Sequence, residues 1–135
     1  MIERLLVLVI FFALLLAALV LYRRWQMRHI TVLAPVDPLL AGWQPGVPTI
    51  VYFSSPHCAP CRLQQEPALH ALQAELGAAV RIVPVDALAQ PEAARRWGVL
   101  TVPTTFVLDR RGCPQEVNYG VAGVEKLKQQ LLRAG

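Results

Sequence analysis

The sequence predicts an α/β domain with a mixed central sheet flanked by helices, preceded by one N-terminal transmembrane helix. Three observations predict it. An uninterrupted apolar stretch opens the chain, and short β-branched runs then alternate with helical patterns over the remainder. Two cysteines, Cys58 and Cys61, sit where one of those runs gives way to a helix.

The opening stretch, Leu5 to Leu21, is seventeen apolar residues without a charge. At about 1.5 Å per helical residue it nearly crosses a hydrocarbon core of roughly 30 Å. Tyr22 and Trp25 follow it, where aromatic side chains favour the headgroup level. A cleaved signal peptide is the competing reading. It needs a small-x-small site, and the best candidate cut, after Ala18, puts Leu16 where a small side chain belongs. No cysteine follows the run to accept a lipid. The stretch therefore reads as an uncleaved single-pass anchor.

The net charge of +4 is concentrated beside this anchor: residues 1–30 hold four arginines against one glutamate, and the remainder is nearly neutral. Nucleic-acid binding asks for a basic face on the domain itself, and none is visible. Arg23, Arg24 and Arg28 read instead as a topology signal or a lipid-headgroup contact. Residues 1–29 are accordingly assigned to an anchor with a basic juxtamembrane segment, and residues 30–135 to one domain.

Along that domain, a short strand is expected near Ile30 to Leu33 and a helical turn near Pro38 to Ala41. The compact run 49–55 reads as a buried strand. Residues 59–76 read as a helix with Leu69, Leu72 and Leu76 on one face and Gly77 as its stop. Residues 80–86 form the next strand, although Pro84 inside a central strand would cost a ladder hydrogen bond and is expected at its end or at a bulge. Pro91 to Trp97 is a short helix, with Gly98 as its cap. Residues 104–109 and 115–120 flank an Arg-Arg-Gly turn as paired strands, and Val124, Leu127 and Leu131 mark a closing helix.

Cys58-Ala59-Pro60-Cys61 has the placement that thiol chemistry requires. The thiolate is the reactive form, and the unpaired amides and positive end of a helix N-terminus stabilise it. Pro60 fits a first helical turn, where its missing N–H is no loss. A zinc site would need two more ligands, and the candidates Cys113, His29, His57 and His70 show no second metal-ligand spacing. His57, just before Cys58, is placed either to share a proton with that thiol or to stand as a solvated rim residue. His29 and His70 read as surface residues, Cys113 as a spectator, and Arg95 and Arg96 as a solvated helix face. Trp43 and Trp97 are expected to pack against the domain.

The segment "VYFSSPHCAPCR", with "GVLTVPTTFVLDRRG" downstream, resembles the thioredoxin family over about residues 30–135. Cysteines of this spacing are a weak motif alone. At a strand-to-helix junction, with Val-Pro-Thr about forty residues later, they are far more specific. The resemblance implies a thioredoxin-like fold in which Cys58 is the nucleophile and Cys61 the resolving thiol. It also implies that Pro103 is a cis proline beside the dithiol and that Val102 offers backbone hydrogen bonds to a substrate. Proline between the cysteines resembles the reducing members of the family. The implied activity is therefore reduction of protein disulfides, with a reductase or another thiol protein as electron donor and no bound cofactor.

Besides Pro84, two positions depart from the family pattern. Tyr52 stands where the family has a buried aspartate that helps move the second thiol's proton. Pro67 lies six residues after the second cysteine, where the family has its helix proline five after. Tyr52 keeps open a second reading, a non-catalytic binding or scaffold module at the membrane. Finally, three arginines follow the apolar run whereas Arg4 and the amino group precede it, so the positive-inside rule favours a cytoplasmic domain over a periplasmic one.

Overall fold

The computed structural model describes residues 1–33 (of 30–33, the backbone alone), 37–42 and 45–135. Trp43 lies outside the described residues. The first element, α1 (Ile2–Leu33), is 32 residues long. It contains neither glycine nor proline, and from Leu5 to Leu21 it is apolar on every side, as in a helix surrounded by hydrocarbon. This helix is long and apolar enough to cross a membrane, properties that a signal sequence near the N-terminus shares. It runs on through Ile30 to Leu33, so the short strand expected there is helix instead. With no proline before Pro35, nothing in the chain interrupts the helical hydrogen bonding earlier.

A 3₁₀ turn, Pro38–Leu40, follows, capped by Asp37, whose carboxylate accepts the Leu39 N–H at 3.0 Å. Four strands come next: β1 (Thr49–Ser54), β2 (Arg81–Asp86), β3 (Thr104–Leu108) and β4 (Pro114–Tyr119). They form one sheet in the order β2-β1-β3-β4, with β1 and β2 parallel and the other two pairings antiparallel. Helices α2 (Glu66–Leu76), α3 (Pro91–Arg96) and α4 (Val124–Ala134) complete the domain.

The alternation of β1 divides the core. Val51 and Phe53 face one layer with Phe106, Leu108, Val117, Ala93 and Trp97. Ile50 and Tyr52 face the other, with Leu69 and Leu72 of α2 and Leu127 and Leu131 of α4. A strand covered on both faces has no polar side to present, which is why β1 reads as a continuous apolar run. Trp97 is buried in the first layer, where its ring lies 5.1 Å from that of Phe106 and 6.1 Å from that of Phe53.

Pro84 sits mid-strand opposite Tyr52, neither at an end nor at a bulge. The reason is topological. β2 is the edge of the sheet, where outward-pointing N–H groups have no ladder partner and a proline is tolerated. Arg96 also departs from expectation, for it is no free surface charge. Its guanidinium donates to both oxygens of the buried Asp37, at 3.0 and 3.2 Å, and the Trp97 indole N–H donates to the same carboxylate at 3.0 Å. Burial alone would push the Asp37 pKa up. The hydrogen bonds from Arg96, Leu39 and Trp97, with the Arg96 charge, outweigh it and leave the carboxyl below its ordinary 3.8.

Candidate redox site

β1 ends at Ser54, and four residues later Cys58 lies at the start of the helical segment that leads into α2. Cys58 and Cys61 form a disulfide with Cα atoms 5.2 Å apart. The two sulfurs are not equivalent. Cys61 is fully buried, whereas Cys58 retains a little exposure at 8%. The Cys61 backbone N–H donates to the Cys58 sulfur at 3.2 Å, an interaction that would favour negative charge on Cys58 once the pair is reduced.

The turn after the dithiol is π-helical, from Cys61 to Gln65, closed by the Glu66 N–H on the Cys61 carbonyl. A π turn holds one residue more than an α turn. It therefore accommodates the extra residue that places Pro67 six positions beyond Cys61, at the start of α2.

The loop before β3 lies against the apolar cluster that holds both cysteines, through Val102. The Val102–Pro103 bond is cis, Pro103 is buried, and the Pro103 carbonyl accepts the Gly120 N–H at 2.9 Å. The Thr104 hydroxyl donates to the Thr101 carbonyl at 2.7 Å, pinning the loop from the other side. Val102 packs against both core layers. Its own N–H and C=O make no hydrogen bond among the described residues, so they remain open to a partner.

Gln65 supplies a connection that the sequence reading missed. Its fully buried side chain accepts the Ala122 N–H at 2.8 Å and donates to the Ala122 carbonyl at 3.0 Å. That ties the loop after β4 to the turn below the dithiol, and Ala122 joins the same apolar cluster as Cys58 and Cys61. Helical spacing held the signal: Cys61, Gln65 and Leu69 fall four apart, so a glutamine had to lie on the buried face and needed partners there.

Tyr52 is buried with its hydroxyl unpaired; the Ser54 side chain approaches without reaching hydrogen-bond geometry. Burial pushes the phenol pKa above its ordinary 10.0; Ser54 offsets part of this and the Glu66 charge adds to it. Tyr52 is thus neutral at physiological pH and is no substitute for a carboxylate base. His57 is exposed and has no hydrogen-bond or ionic partner among the described residues, and His29 and His70 are also exposed. Cys113 is half-buried and free, far along the chain at the β3–β4 turn. No group of three or more His, Cys, Asp or Glu side chains converges among the described residues.

Two thiols at a helix start, one more accessible than the other, define a site for thiol–disulfide exchange. Comparison with known proteins gives the same class. The family model for thioredoxin matches residues 44–133. Thioredoxin of Bacillus subtilis (strain 168) is 34% identical over 77 residues, which cover 57% of this chain and 72% of that protein. Thioredoxin NaTrxh from Nicotiana alata superposes with a TM-score of 0.61 at 24% identity, over 83% of this chain and 85% of that one. Chloroplastic thioredoxin z gives 0.62 at 20% identity, over 70% and 82%. The chain belongs to the thioredoxin family and is a thiol–disulfide oxidoreductase.

Proposed function

We propose that this protein is a membrane-tethered reductant of protein disulfides, with Cys58 as nucleophile and Cys61 as resolving thiol. The observation that carries the assignment is the asymmetry of the pair: Cys58 is the more accessible residue and its sulfur accepts the Cys61 N–H, while Cys61 is fully buried. In the reduced domain, the Cys58 thiolate attacks one sulfur of a substrate disulfide and expels the other as a thiolate. The Cys61 thiolate then attacks Cys58, releasing the second substrate thiol and leaving the Cys58–Cys61 disulfide. Two electrons pass to the substrate, and a reductase or thiol protein must return them before the next cycle. The chemistry itself requires no bound cofactor.

Val102 and Pro103 form the substrate wall, the open backbone groups of Val102 pairing with an extended substrate segment. Pro60 shapes the first turn and His57 stands at its solvent rim. With Tyr52 in place of a carboxylate, the Cys61 proton leaves by water or by another group. The apolar half of α1 supports the tether, and the excess of arginines after it supports a cytoplasmic domain.

The test uses the full chain in detergent. Wild-type protein should reduce insulin with dithiothreitol as donor, Cys58→Ser should not, and Cys61→Ser should accumulate mixed disulfides on nonreducing gels. Equal trapping by both variants would reverse the roles, and no turnover by wild type would favour the scaffold reading that Tyr52 keeps open. Alkaline phosphatase and green fluorescent protein fused after Gly135 report the side of the membrane. A bright phosphatase fusion with a dark fluorescent one would move the domain outside.

A further inference from the structure

The join between α1 and the domain is built, not incidental. Gln26 is completely buried. Its amide nitrogen donates to the Trp97 and Gly98 carbonyls at 2.9 and 2.8 Å, and its amide oxygen accepts the Tyr119 hydroxyl. One turn earlier the Tyr22 hydroxyl donates to the Gly98 carbonyl at 3.0 Å. Arg23 lies over the Tyr119 ring, 5.5 Å from its centroid. Every hydrogen-bonding atom used here belongs to α1, to the turn after α3 or to the end of β4. The domain is thereby held in one orientation on the helix.

That orientation can be read from the sheet. β4 runs toward the dithiol end, since Tyr119 pairs with Thr104, the residue after Pro103. Arg23, Arg24, Met27 and Arg28 line one groove with Gln115, Glu116 and Val117, in the first part of β4. Gln26 and Arg23 reach Tyr119 at its end. Leu16, Leu19 and Val20 border Leu100 and Thr101, in the loop before Pro103. Passing toward the N-terminus of α1 is therefore passing toward the dithiol and then beyond it. The apolar run projects from the active-site end of the domain.

A second, independent observation concerns exposed apolar side chains. Outside α1, among the described residues, these are Leu63, Leu88, Leu100, Tyr119, Val121 and Leu132. Only Leu132, near the end of α4, lies away from the dithiol. Leu63 follows Cys61 by two residues, Leu88 follows β2, Leu100 precedes Pro103, and Val121 follows β4. A rim of this kind on the face turned toward a membrane finds apolar burial in the interfacial zone, continuous with the side chains of α1 that it already borders. Arg24 is exposed on the adjoining part of the helix, where its charge suits phospholipid phosphates.

Resting on the tethered reading above, we infer that the Gln26 clasp seats the apolar rim around the dithiol in the bilayer interface, so that Cys58 serves disulfides presented at the membrane surface. The substrate class is then membrane proteins with cysteines at the water–lipid boundary. In a bilayer, freely diffusing proteins then reach Cys58 less readily than they do in detergent, where the rim is not seated in a membrane.

The test places single nitroxide labels on the full chain in vesicles of phosphatidylcholine and phosphatidylglycerol. Its background is Cys58→Ser, Cys61→Ser, Cys113→Ser, and the labelled substitutions are Leu14→Cys, Leu100→Cys and Leu132→Cys. Accessibility is read with oxygen against a water-soluble nickel chelate. The expected result is an oxygen preference at residue 100 several-fold above that at residue 132, lost when Gln26→Ala is added. A label at 100 as nickel-accessible as that at 132, with the label at 14 still in hydrocarbon, leaves the tether standing and overturns the inference. A nickel-accessible label at 14 overturns the tether and the inference together. With the native dithiol, reduction of a disulfide placed at the boundary of a transmembrane peptide should outpace reduction of the same disulfide in a soluble peptide. Gln26→Ala should narrow that ratio, and equal rates in the intact protein overturn the substrate assignment.

Discussion

Replacing Gln65 by leucine isolates one contribution to the site. The substitution nearly preserves volume, so no large cavity opens, but both hydrogen bonds to Ala122 disappear. Ala122 is fully buried, so its N–H and C=O are left without protein partners. Each unsatisfied buried group costs about 1–3 kcal/mol, giving roughly 2–6 kcal/mol for the pair. That is a large share of the 5–15 kcal/mol typical of a domain's total stability, taken as an order of magnitude. Urea unfolding of the full chain in detergent, followed by tryptophan fluorescence, should show the loss as a lower midpoint with an unchanged slope. Because Ala122 packs in the cluster that holds both cysteines, insulin reduction should slow as well. Stability within about 0.5 kcal/mol of wild type, the range of an ordinary surface substitution, would refute the reasoning. It would mean that the loop reaches other partners or water at no cost.

Three further outcomes are expected. Asp37 has a lowered pKa, so the stability it contributes is complete above 3.8 and is lost as pH falls from there through the folded-state value; acid unfolding of Asp37→Asn should be less steep over that range than that of wild type. Gly98 has φ +67°, and a Cβ there would lie 3.0 Å from the Gln26 amide nitrogen. Gly98→Ala should therefore cost about 1–2 kcal/mol for the left-handed backbone plus the displaced clasp, and thermal unfolding of the Gln26→Ala double mutant should show the second part removed. Tyr52→Phe deletes a buried hydroxyl that has no hydrogen bond; it should unfold at an equal or higher urea concentration and keep wild-type insulin turnover, and a fall in turnover would assign that hydroxyl to proton movement at Cys61.

The sequence alone determined the order of elements from β1 onward, because each buried face imposes its own period. The apolar run of β1, the four-residue spacing of α2 and the glycines at Gly77 and Gly98 are local patterns, and they are legible for that reason. The dithiol and Pro103 were legible as well, since each part of the family motif is a short contiguous segment. Tertiary structure decided what depends on neighbours distant in the chain. Strand order made β2 an edge and so made Pro84 harmless. Asp37 turned Arg96 from a free surface charge into the partner of a buried carboxylate. The extra residue before Pro67 became a π turn, a choice no local propensity announces. Gln65 met Ala122 across 57 positions and Gln26 met Trp97 across 71. A polar side chain in sequence shows only that it needs a partner; which partner it finds is set by how the layers pack.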